Sequence, residues 1–144
     1  MSDYEVFGTT ALLDAVGRSI RYIRRKYCDI LRENRPKKVV FMITTDGMEN
    51  ASREFTYQRL KRHIDRAQKE YDWEFIFIGA NIDAIKEASK IGIRSERAVR
   101  YRADEKGIRA NFRSMNQAMR DVRANRAISD DWKKEIEEDF ENGK

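Results

Sequence analysis

Proline occurs once, cysteine once and histidine once in a chain of 144 residues. With one proline and seven glycines, collagen-like and Pro/Gly-linker compositions are excluded. The lone Cys28 has no partner for an internal disulfide, and a single thiol fits a reducing compartment, so a cytoplasmic location is expected. One histidine leaves no second His or Cys spaced for zinc and supports no Ser/His/Asp order. No run approaches the ~18 apolar residues of a transmembrane helix, so no membrane association is expected. Residues 1–8 show neither a basic start nor an apolar stretch, so no signal peptide is expected.

Charge is abundant. Residues with charged side chains make up 38% of the chain, and 30 Lys and Arg face 25 Asp and Glu, a net +5. The charges are unevenly placed. Residues 129–144 hold seven acids and three bases, net −4, which leaves +9 on the remaining residues. Such asymmetry suits an anionic partner. It equally suits an acidic tail that offsets a basic body, and the interspersion of arginines with acids favours the tail.

The apolar pattern gives the order of elements. Leu13, Val16, Ile20, Ile23, Tyr27 and Ile30 step by three and four, which makes one helical stripe. Thr9 or Thr10 suits its N-cap. Pro36 disfavours helical geometry at the residue before it, so the helix is expected to end near Asn34. Residues 38–45 contain five consecutive apolar side chains, as in a parallel strand buried on both faces. Tyr57, Leu60, Ile64, Ala67 and Tyr71 mark a second helix. Residues 73–78 read as a second buried strand stopped by Gly79, residues 82–90 as a short helix and residues 98–101 as a third strand. Ile108, Phe112, Met115, Met119 and Val122 form a further stripe, and Ser129 caps a last helix carrying Trp132, Ile136 and Phe140. The order α-β-α-β-α-β-α-α predicts an α/β fold, a short parallel sheet flanked by helices in three layers, with C-terminal helices. The expected division is an α/β body over residues 1–128 and an acidic helix over 129–144, packed on the body or on a neighbouring chain.

Ligands of open α/β sheets bind at the carboxyl ends of the strands. That rule points to the segment from Thr44 to Ser52, which contains Asp46-Gly47. A carboxylate there is placed to meet a cation. The plain alternative is an aspartate that caps a turn.

Three motifs occur in order: Gly8-Thr9-Thr10-Ala11-Leu12-Leu13-Asp14-Ala15, then Val39 through Thr45-Asp46-Gly47 to Ser52, then Phe75-Ile-Phe-Ile-Gly79-Ala80-Asn81. Over roughly residues 4–101 the chain resembles the von Willebrand factor type A domain, in particular small bacterial members of that superfamily. The resemblance implies a doubly wound, Rossmann-like sheet with a metal-ion-dependent adhesion site that takes a divalent ion, usually magnesium. It implies Thr10 as a hydroxyl ligand and Asp46 as a carboxylate ligand. The family's Asp-x-Ser-x-Ser loop is absent from the 144 residues, and the chain resembles the C-terminal half of such a domain.

Two expectations follow. One carboxylate and one hydroxyl offset the dehydration of magnesium poorly, so Mg2+ binding at Thr10 and Asp46 is expected to be weak or absent. In the family's strand order, residues 39–43 would be left as an apolar sheet edge, and such an edge recruits another strand. The expected partners are a second copy of the chain, forming a homodimer, or a complementary half-domain chain.

The remaining candidates carry less. His63, among Lys61, Arg62 and Asp65, is expected at the surface. Cys28, beside the apolar stripe, is expected to be buried and inert. Lys106, Arg109, Arg113, Arg120, Arg123 and Arg126 form a basic helix over 106–126, an alternative polyanion or nucleic-acid surface. The apolar stripe lies opposite those bases, so a solvated polar face is the plainer reading. A further alternative is an inert dimeric remnant. No nucleophile, general base and metal cluster can be assembled, so a protein-binding module rather than an enzyme is expected.

Overall fold

The computed structural model describes residues 11–36, 38–47 and 52–143. The elements are α1 (Leu12–Asp29), β1 (Val40–Thr45), α2 (Tyr57–Tyr71), β2 (Glu74–Gly79), α3 (Ala84–Lys90), β3 (Ala98–Arg100), α4 (Glu105–Arg123) and α5 (Lys134–Asn142), with short 3-10 turns at Arg32–Asn34, Ser95–Arg97 and Asp130–Lys133. The three strands are parallel, in the order β1-β2-β3. Val40 stands opposite Glu74 and Thr45 opposite Gly79, while Phe77 stands opposite Ala98.

The pleat of β2 sorts the core into two layers. Phe75 and Phe77 point to one face, where they pack with Ile20 of α1, Leu60 and Ile64 of α2 and Ala84 of α3. Ile76 and Ile78 point to the other face, against Met115 of α4, Trp132 of the 3-10 turn at Asp130–Lys133 and Ile136 of α5. Helices therefore cover both faces, giving a Rossmann-like, three-layer α/β arrangement. Every residue of β2 from Phe75 to Gly79 is buried, as its unbroken apolar run predicts.

β1 differs from the expectation of a strand buried on both faces. Val40, Phe41 and Met42 are half-buried and Thr44 is exposed. The cause is position: among the described residues β1 pairs with β2 alone and lies at the sheet edge, where the flanking helices cover it incompletely.

Helix starts follow side-chain chemistry. Thr56 Oγ1 accepts the N–H of Arg59 at 3.1 Å, Asp83 accepts that of Lys86 at 3.2 Å and Asp104 accepts that of Gly107 at 2.7 Å, each satisfying a free amide of the first turn. α1 begins after Ala11 without a side-chain cap, and the proposed caps Thr9 and Thr10 lie outside the described residues. α1 also ends at Asp29, short of Asn34. Arg35 folds back there, with Nε donating to Ile30 O at 3.0 Å and Nη2 to Cys28 O at 3.4 Å, which gives carbonyls at the helix end side-chain partners. Ile30 consequently stands 38% exposed rather than completing the stripe.

α4 is rotated from its expected face. Ile108 and Phe112 are 44% and 50% exposed, whereas Gly107, Ala110, Asn111, Ser114, Met115, Ala118 and Asp121 are buried. Small side chains make the close contacts here. A Cβ on Gly107 would collide with the carbonyl oxygen of Arg102. The final segment packs on its own chain: Ser129 Oγ accepts the N–H of Asp131 at 3.2 Å, Trp132 and Ile136 are buried and Phe140 half-buried. Among the described residues no helix is long and apolar enough to cross a membrane.

Candidate functional site at the carboxyl ends of the strands

Each strand delivers a polar group at its carboxyl end. Asp46 follows β1 and is exposed. Asn81 follows β2 in the left-handed region, at φ 60°, which asparagine tolerates better than most residues. Its side-chain Nδ2 donates to the backbone carbonyl of Asp46 at 3.1 Å. The Thr-Asp-Gly and Gly-Ala-Asn motifs are thereby tied together. Tyr101 follows β3 and is buried. Burial first, and the nearby Asp46 carboxylate second, push its phenol above the usual tyrosine value.

Magnesium demands near-octahedral oxygen coordination. Asp46 presents a carboxylate with no hydrogen-bond or ion-pair partner among the described residues. The neighbouring Thr45 hydroxyl is closed onto the chain: it donates to Gly47 O and accepts Gly47 N–H at 3.2 Å. Asp83 and Asp104 serve as helix caps. Thr10, the other expected ligand, lies outside the described residues. Among the described residues no three His, Cys, Asp or Glu side chains group so as to hold a metal. Among the described residues, the one free carboxylate at this end does not by itself fit a resident magnesium ion.

A structural carboxylate that the sequence reading passed over lies nearby in the chain. Asp14, in the first turn of α1, is 4% exposed. Its Oδ2 accepts the N–H of Arg53 at 2.8 Å, and its Oδ1 accepts those of Glu54 at 3.0 Å and Phe55 at 2.7 Å. In return Asp14 N–H donates to Ser52 Oγ at 3.1 Å. The amide of Arg53, then those of Phe55 and Glu54, hold its carboxyl below the usual aspartate value against the opposing effect of burial. An acid in the first turn of a helix was a visible signal; its partners, some forty residues away, were not.

Two further expectations are corrected. Cys28 is exposed, because it lies beside the α1 stripe near the helix end, with Sγ 3.6 Å from the Tyr71 hydroxyl. His63 is half-buried rather than at the surface, with its ring 5.5 Å from that of Phe55 in an edge contact.

The basic helix is largely neutralised within the molecule. Lys106 lies 3.8 Å from Asp139 and Arg109 3.8 Å from Glu105. Arg113 is paired with Glu135, and Arg126 lies 3.3 Å from Asp121. No family model matches the chain, and no curated protein or solved structure matches it.

Proposed function

We propose that the chain is a protein-association module of the von Willebrand A type, with an incomplete metal site at Thr10 and Asp46, which assembles into a homodimer through the outer edge of β1. The observation that carries the reading is the half-covered position of β1 at the sheet edge. Val39 O accepts from Glu74 and Thr45 O accepts from Ala80, so the odd-numbered residues serve β2. By the two-residue alternation of a strand, Val40, Met42 and Thr44 direct their N–H and C=O groups to the other side. Unpaired edge groups beside apolar side chains favour pairing with another strand. Exposed Ile108 and Phe112 stand on α4, the helix on the side of the sheet to which Val40 and Met42 point. Two β1 edges meeting about a two-fold axis would run antiparallel and pair these outward groups.

The alternative, polyanion binding by residues 106–126, has less support, because Lys106, Arg109, Arg113 and Arg126 already face acids of the same chain.

Mass in solution tests the reading. Light scattering should give a dimer whose mass is unchanged by millimolar magnesium. Thr44→Pro removes one outward N–H and spares the β2 ladder, an arrangement that edge strands accept. It should give a monomer with an unchanged circular dichroism spectrum. A monomeric parent, or a Thr44→Pro dimer as stable as the parent, would overturn the proposal.

A further inference from the structure

α1 and α2 lie side by side on one face of the sheet, and arginines line the seam between them. Arg59, Arg62, His63 and Arg66 of α2 border an open cavity of about 310 Å3, near the lower end of small-ligand sites at ~300–1,000 Å3. Arg21 of α1 reaches the same place, since its guanidinium and that of Arg59 both stand over the Phe55 ring, which lies 5.5 Å from that of His63. Burial first, and the charges of Arg24, Arg59, Arg21 and Arg62 next, hold the His63 imidazole below the usual histidine value.

Phe55 anchors the group. Its buried ring carries the Arg59 guanidinium at 4.8 Å and that of Arg21 at 5.3 Å, and Arg59 also donates to Glu54 O at 2.9 Å. Two carboxylates reach the cluster. Glu54 takes Arg18 at 3.1 Å and Arg21 at 2.8 Å, and Glu70 takes Arg66 at 3.1 Å. Arg24, Arg59 and Arg62 have no carboxylate partner among the described residues. Like charges gathered in this way repel, and a multiply charged anion would relieve that repulsion. Planar guanidinium groups offer paired donors that match phosphate oxygens.

We propose that the α1–α2 seam is a binding site for oligophosphate groups, held by Arg59 and Arg62 at the cavity beside His63 and Phe55. The shared chemistry is two or more adjacent phosphoryl groups, from a free oligophosphate or from a nucleic-acid backbone. The site lies apart from the β1 edge and does not depend on the reading of that edge.

Calorimetric titration with inorganic tripolyphosphate, and separately with a single-stranded oligonucleotide, tests the proposal at low salt. Tripolyphosphate should bind, and Arg59→Ala or Arg62→Ala should each weaken it roughly tenfold, the loss of one hydrogen bond to a charged group. Arg123→Ala, an exposed change on α4, should leave affinity unchanged. His63 is the chain's one histidine, so its imidazole resonance reports directly, and its titration midpoint should rise when the anion is bound. Binding of the oligonucleotide alone, with the same arginine dependence, would support the site and identify a nucleic-acid source. No binding of either probe, or equal losses from Arg123→Ala and Arg62→Ala, would overturn it.

Discussion

The Oδ1 atom of Asp14 accepts the backbone N–H of Phe55 at 2.7 Å, which makes the first turn of α1 and the approach to α2 a single unit. Glu54 and Arg53 donate to the same carboxylate. Three consecutive amides that would otherwise need partners are satisfied by one side chain, and Phe55 is delivered to the α1–α2 seam.

Asp14→Asn keeps the shape but replaces one acceptor oxygen with a donor, so at least one of the amides at 53–55 loses its partner. The urea midpoint should fall at neutral pH. The pH dependence has a fixed sign. The folded-state pKa is depressed, so Asp14 contributes fully above the unfolded value of about 3.9, and this contribution is lost as pH falls through the folded value. Glu54, held low by Arg18 and then Arg21, acts in the same direction. The variant should therefore lose stability less steeply in acid than the parent. Identical acid profiles would remove Asp14 from this role.

Gly17 explains how closely that seam is packed. A Cβ at this position would lie 2.5 Å from ring atoms of Phe55, which is 2% exposed. Helix propensity alone favours Gly17→Ala by ~1 kcal/mol. Overpacking a fixed aromatic ring costs about 1–3 kcal/mol, so the variant should be less stable than the parent in urea unfolding. Gly17→Ala with Phe55→Leu should recover part of the loss, because the smaller side chain leaves the new methyl room. A Gly17→Ala variant more stable than the parent would show that the ring shifts freely.

The sequence carried local chemistry better than neighbour relations. The apolar runs of β1 and β2 look alike, yet β2 is buried throughout and β1 is half-covered. Burial depends on which strands lie alongside, and a run of residues does not contain that. In α4 the large apolar residues Ile108 and Phe112 suggested one face, while the buried face is set by Gly107, Ala110, Ser114 and Ala118. Close approach of helices selects small residues, which hydrophobic periodicity undervalues. At the strand ends, Asp46 and Asn81 were marked by the glycines beside them, and their side chain to backbone contact joins the two motifs. Arg59, Arg62 and Arg66 recur at helical spacing, a readable signal, but the convergence of Arg59 with Arg21 on the Phe55 ring needed the packing of α1 on α2.

Cys28 should behave as an accessible thiol. It is exposed, and its one described side-chain contact is the Tyr71 hydroxyl at 3.6 Å. That contact, before burial, pushes the Tyr71 phenol above its usual value. A disulfide reagent should titrate one thiol in the native protein at the rate seen in urea to within an order of magnitude. Cys28→Ser should leave the unfolding midpoint unchanged. A native thiol that reacts only after unfolding would contradict the exposed position.

Trp132 decides whether residues 129–144 are an appendage or part of the fold. Its side chain is 1% exposed, packed with Ile76 and Ile78 of β2, and its Nε1 donates to Glu96 O at 2.8 Å. Lys133 Nζ donates to Ser95 O at 2.7 Å and Ala98 O at 2.9 Å, while Arg97 donates to Ile128 O at 3.0 Å. These contacts lock the last segment onto the turn that leads into β3. Trp132→Ala should cost about 3–5 kcal/mol, the range for emptying a buried large aromatic site. Trp132→Phe should cost less, since it keeps most of the apolar volume and loses the hydrogen bond to Glu96 O. Truncation after Ile128 should abolish the cooperative unfolding transition followed by circular dichroism, because it uncovers the β2 face that α5 protects. A truncated chain that unfolds cooperatively at the parent midpoint would show that residues 11–128 hold their core without that cover.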